Sequence, residues 1–125
     1  MKKSILIFAA VVLAAFIQQS IIDEMVGAFK TGNSSKLALY FDNVVAVTLP
    51  DKSDSYSKTQ AETIIRDFFA SNPVKGFDVM HKGDNNGSQF FIGTLQTKNG
   101  SYRTTVFLKQ KGERQFLQEI KLESK

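Results

Sequence analysis

The sequence has no cysteine and no tryptophan, a single histidine and only two prolines. Without cysteine there is no disulfide, no lipid-modified N-terminal thiol, no thiolate metal site and no cysteine nucleophile, so the folded chain is held by its core alone. One histidine, His81, cannot supply a two-histidine metal site. No Gly-x-Gly-x-x-Gly or Walker sequence is present, so no cofactor is implied. The stretch from Gly83 to Gly87 holds Asp84, Asn85 and Asn86 but lacks the spacing and terminal Glu of a calcium loop, and reads as a turn. Clustered charge is missing as well. Setting aside Lys2 and Lys3, which lie in a segment expected to be removed, 14 basic residues stand against 12 acidic ones, a net +2 that gives nucleic-acid binding no support.

Long hydrophobic runs are also scarce. The longest, Ile5 to Ile17, has 13 residues, against the ~20 of a spanning helix. It follows Lys2 and Lys3 and precedes polar Gln18, Gln19 and Ser20, which is the layout of a secretory signal peptide over residues 1–19. The rival is retention of this segment as a membrane tether, which its length disfavours. Val12-Leu13-Ala14 is the nearest match to a cleavage signal, and the mature chain is expected to begin between Phe16 and Ile21, outside the cytoplasm, as a periplasmic, cell-surface or secreted protein with no stable span. One domain, residues 20–125, then remains.

What the sequence does hold is phenylalanine, 11 residues of it, distributed with clear periodicity. Ser88 to Leu122 reads as three antiparallel strands with turns at Asn99-Gly100 and Lys111-Gly112, because Tyr102, Thr104, Val106 and Leu108 alternate with Arg103, Thr105, Phe107 and Lys109. Such a meander must bury one face, and the helix-rich first half is its natural cover. Ile21, Ile22, Met25, Val26 and Phe29 form one stripe of a helix capped by Ser20 and ended by Gly32. A second helix, capped by Asn33 or Ser34, is expected through Leu37, Leu39, Tyr40 and Phe41. Asp42 and Asn43 break it. Val45, Val47 and Leu49 mark a strand closed by Pro50, and a short edge strand is expected around Tyr56. Ser57 and Gln60 make a capping box before the stripe Ala61, Ile64, Ile65, Phe68 and Phe69, the covering helix. After Asn72-Pro73, a strand should place Phe77, Val79 and His81 on one face and Asp78 and Met80 on the other.

The element order of helix, helix, strand, short strand, helix and four strands resembles the nuclear-transport-factor-2-like, or cystatin-like, fold. The stretches AFKTGNSSKLALYFDNVV, YSKTQAETIIRDFFASNP and GSQFFIGTLQTKNGSYRTTVFLKQKGERQFLQEIKLE resemble a family of small exported proteins of Bacteroidota that carries a domain-of-unknown-function label. The resemblance implies an α+β cone, with a helical hairpin and one covering helix packed on a bent antiparallel sheet. It leaves function open, because such cones host isomerases, dehydratases, ligand carriers and association modules alike.

The candidate residues divide accordingly. Some enzymes of the wider fold pair a His with an Asp, or an Asp with a Tyr, inside the cone; here that would mean His81 or Asp42 as base and Tyr40 or Tyr56 as acid. His81 is more simply a solvated residue near a strand end, and Asp78 cannot pair with it locally. Gln118 is expected to share a face with Phe116, Ile120 and Leu122, as a buried amide that must be hydrogen-bonded to protein or to ligand, with Leu117, Glu119 and Lys121 on the other face. Tyr40, Phe41, Tyr56, Phe68, Phe69 and Gln118 are the candidates for lining a small apolar pocket. Phe90 and Phe91, adjacent on a strand, must point to opposite faces, so one is outside, where Phe107 or Tyr102 joins it. These four are the interface candidates. The leading expectation is an exported, non-catalytic domain that binds a small apolar ligand or another envelope protein and pairs with itself through its sheet. The alternative is a small isomerase or dehydratase.

Overall fold

The helices are set by their ends. The computed structural model describes residues 21–125, so the expectations for the signal segment and the Ser20 cap lie outside it. Helix α1 covers residues 21–31 and stops at Gly32, whose φ of +63° suits the residue just past a helix end. There the Gly32 N–H donates to the Phe29 carbonyl and the Asn33 N–H to that of Ala28, closing the end with paired bonds. Asn33 then caps α2 (Ser34–Ala38), its side chain accepting from the Lys36 N–H at 3.0 Å. Helix α3 (Lys58–Ser71) begins in the expected capping box, with Ser57 and Gln60 bonding reciprocally.

Helix α2 is shorter than its apolar spacing predicts. Leu39 is 68% exposed, and Phe41 opens strand β1 (Phe41–Leu49) instead of closing a helix. The spacing from Leu37 to Phe41 fits a helical turn, but pairing with Leu117 buries Phe41 to 2% exposure and decides its conformation. Asp42 and Asn43, expected as breakers, are therefore strand residues.

Five further strands follow: β2 (Lys52–Ser57), β3 (Val74–Asn85), β4 (Ser88–Thr97), β5 (Gly100–Lys111) and β6 (Arg114–Ser124). The edge strand around Tyr56 is present as β2. Sheet order is β2-β1-β6-β5-β4-β3, and every neighbouring pair is antiparallel except β1 and β6, which run parallel. The sheet is therefore mixed, where an antiparallel one was expected. The turns move too. Gly83, Asp84 and Asn85 belong to β3, leaving Asn86-Gly87 as the turn; Gly100 pairs with Thr97, so the next turn is Lys98-Asn99, and the last is Gly112-Glu113.

The helices cover one face of this sheet. Phe29 of α1 stacks on Phe77 with ring centroids 5.0 Å apart and meets Phe69 and Phe91 edge-on, each at 6.2 Å. Ala61, Ile65, Phe68 and Phe69 of α3 are buried, and Ile64 is half-buried at the margin. Along β5 the alternation holds: Thr104, Val106 and Leu108 are buried and Phe107 points out.

Two β-bulges alter the faces elsewhere. Val79 pairs with Gly93 and His81 with Ile92, so Met80 is an extra residue and His81 passes to the face opposite Phe77 and Val79. On β6, Glu119 pairs with Phe107 and Leu117 with Leu108, leaving Gln118 as the extra residue. Leu117 consequently joins Ile120 and Leu122 in the core, and Phe116 leaves their face. The expected grouping of Phe116 and Gln118 with Ile120 is corrected by this insertion.

Candidate functional site

The helix-covered side of the sheet is where an enzyme or carrier of this architecture would hold its ligand, and here aromatic side chains occupy it. Phe29, Phe69, Phe77 and Phe91 pack ring against ring. Phe41 and Phe69, two of the pocket candidates, are buried in this core. Tyr56 packs at the margin of this core, beside a shallow groove with Thr59, Gln60, Thr63 and Ile64.

His81 is not brought to the other acid and base candidates, which lie at the β1–β2 side of the sheet. His81 is exposed on edge strand β3, its ring 5.6 Å from that of Phe90. Asp42 is on β1; four interstrand steps of ~4.8 Å put roughly 19 Å of sheet between the two strands. Tyr40 donates its hydroxyl to the Glu24 carboxylate. Burial, that bond and the Glu24 charge together push its pKa up to about 12, unsuited to an acid near neutrality. Asp42 accepts from the Gln118 amide at 3.0 Å and from Lys111 Nζ at 2.6 Å. These two bonds, the amide first, outweigh partial burial and hold its pKa down to about 2. Gln118 thus has its partner in Asp42, a protein group. Among the described residues no cluster of three metal-ligating side chains occurs, and no helix is long and apolar enough to cross a membrane.

The outer face is settled by register. Phe91 is fully buried within, so Phe90 is the outward member of the pair, facing Phe107 across the strands with ring centroids 6.1 Å apart. Gly83 lies beneath the Phe90 ring: a Cβ there would fall 2.3 Å from it, so only glycine lets the ring lie against the sheet. Tyr102, expected beside them, faces inward instead; its hydroxyl donates to Asn72 Oδ1 at 2.9 Å and its ring meets Phe68 edge-on at 5.0 Å. Close by, His81, Ile92, Arg103 and Lys125 border a hollow of about 350 Å³.

A cleft of about 380 Å³ that sequence reasoning missed opens between the β1–β2 turn and the C-terminal half of α3. Of the pocket candidates only Phe68 lines it, together with Leu49, Ile64 and Tyr102, with Asp51 and Asp67 on its two lips. Nothing in the sequence marks it, because its lining residues meet only through the packing of the β1–β2 turn beside α3.

Comparison with known proteins places this architecture. Residues 22–123 match the family described as Domain of unknown function (DUF4783). The chain belongs to this DUF4783 family. A crystal structure of a DUF4783 protein from Bacteroides ovatus is similar with 33% identity and a TM-score of 0.79, covering 82% of this chain and 93% of that one. One from Bacteroides uniformis has 31% identity and a TM-score of 0.81, covering 84% and 97%. An NTF2-like protein of unknown function from Cytophaga hutchinsonii, 7% identical with a TM-score of 0.60 over 86% of this chain and 88% of that one, shares the fold. The DUF4783 chain is thus an α+β protein of the nuclear-transport-factor-2-like kind, as its element order implied. No curated protein matches it.

Proposed function

We propose that the protein is an exported, non-catalytic association domain whose outer sheet face binds a second copy of the chain. The observation that carries the reading is the Phe90–Phe107 pair, two adjoining rings on the face that no helix covers among the described residues, with Phe107 38% exposed and Met80 67% exposed near it. Register puts Glu119, Lys121 and Glu123 of β6 and Arg103 of β5 on the same face. A surface with both signs of charge around an apolar centre complements itself under a two-fold rotation. The aromatic packing of the helix-covered face, the distance of His81 from Asp42, and the engagement of Tyr40 by Glu24 and of Asp42 by Gln118 and Lys111 support a role without acid–base chemistry. Export rests on the cationic, apolar N-terminal segment.

Sedimentation of the natively processed protein is expected to show a dimer at about micromolar concentration. Phe90→Glu should shift it to monomer while the circular dichroism spectrum is kept. A protein that remains monomeric throughout sinks self-association and leaves the face to a different envelope protein.

A further inference from the structure

We infer that the cleft between the β1–β2 turn and α3 is a binding site for a small amphipathic organic cation, an aryl or alkyl group bearing an ammonium or guanidinium. Its walls are Leu49, Ile64, Phe68 and Tyr102, which give an apolar, aromatic surface for the hydrocarbon part. They are braced from behind. Asn72 accepts from Tyr102 Oη, donates from Nδ2 to the Phe68 carbonyl at 3.0 Å, and its Oδ1 also accepts from Asn99 Nδ2 at 3.2 Å. Asn99 Nδ2 reaches the Ser71 carbonyl as well, at 2.6 Å, so the end of α3 is fastened to the β4–β5 turn and the cleft is formed before anything enters it.

The electrostatics select the sign of the ligand. Helix α3 carries no basic residue in its last turn, so the negative end of its dipole is left without a cation. Asp67, about one turn before that end, adds a carboxylate to the α3 lip, and Asp51 lines the cleft from the β1–β2 turn. Lys52 on the Asp51 lip offsets one of the two acids, leaving one net negative charge beside the helix terminus. Among the described residues the ion pair found is Asp42 with Lys111, and neither Asp51 nor Asp67 takes part in one. Acids without an ion-pair partner on the rim of an aromatic cleft favour a cationic ligand. A ligand ammonium between the lips would supply the missing cation, and its apolar part would lie on Phe68 and Tyr102 within reach of cation–π attraction.

The test is a nuclear magnetic resonance titration of the natively processed protein with phenethylammonium chloride, and with phenylacetate as an anion of similar shape. Saturable shifts at the Phe68 and Tyr102 amides are expected, with a Kd on the order of a millimolar for so small a probe and at least about fivefold weaker binding of phenylacetate. Asp67→Asn should weaken the cation at least about threefold while leaving Tm unchanged, because Asp67 is an exposed side chain. Asp51→Asn should weaken it likewise. Equal binding of the two probes, shifts that fail to saturate, or undiminished affinity in both variants overturns the proposal. These readouts are independent of the dimer, since the cleft and the outer face share no residue.

Discussion

Asp42 holds its charge through three donors, the Gln118 amide and the Asn43 backbone N–H, which cannot titrate, and the Lys111 ammonium, whose side chain is 50% exposed. Its folded pKa lies below the ordinary 3.8. The stabilisation is therefore complete above about pH 4 and is lost as pH falls toward 2. Because Lys111 is half in water, this is worth about 1–2 kcal/mol, less than the shift alone implies. Urea unfolding at pH 6 and at pH 2.5 should show Asp42→Asn losing about that much less stability than the natural chain; parallel losses would remove Asp42 from the account of acid sensitivity. Thr104 presents the opposite case. It is fully buried on the inner face of β5, and its hydroxyl has no hydrogen-bond partner among the described residues. Thr104→Val removes that cost and keeps the shape, so unfolding free energy should rise by about 1 kcal/mol in denaturant titrations. At this scale the sequence was read least well. A bulge is one inserted residue without a local signature, and the two at Met80 and Gln118 reversed the assignments of His81, Phe116 and Leu117. Nothing near Gln118 announces that Asp42, 76 residues away, is its partner.

Elements were far more legible, because helices and strands signal through periods that many residues repeat. The Ser57 box, the α3 stripe and the β5 alternation all appear where the pattern placed them. Failures came where two patterns share a spacing, as at Phe41, or where two similar turn signals competed: Asn86-Gly87 makes a two-residue turn with both φ positive, at +48° and +86°, while Asn99-Gly100 lends only its first residue. For α3 the energetic expectation is direct. Phe68 touches Phe69 and Tyr102 and is 8% exposed, whereas Arg66 is exposed. Phe68→Ala should cost about 3–5 kcal/mol through the cavity it leaves, and Arg66→Ala within about 0.5 kcal/mol of nothing. Equal melting temperatures for the two variants would show that α3 does not pack as described. The cleft was illegible for a related reason: its lips come from β1–β2 and α3, whose approach is a property of packing alone.

On the scale of the whole molecule, the chain buries one face of its sheet with helices and leaves the other bearing Phe90 and Phe107. If a second copy covers that face, native protein is stabilised by mass action, and Tm must rise with protein concentration. Thermal unfolding across a hundredfold range of concentration should show this rise in the natural chain and not in Phe90→Glu. A concentration-independent Tm in the natural chain would contradict the paired state.

The parallel contact between β1 and β6 also sets a timetable. Strand β1 has only the exposed edge strand β2 beside it in the sheet until β6, the last of the described strands, arrives. Phe41 and Leu117, neighbours in the sheet, are separated by most of the described chain. A polypeptide emerging in order, from a ribosome or through a membrane channel, can form its β3–β4–β5 meander early but cannot join β1 to that sheet until β6 is free. High contact order of this kind slows folding, and it keeps the nascent chain threadable to the end. Removing β6 from Leu117 onward should therefore undo the first strand as surely as the last.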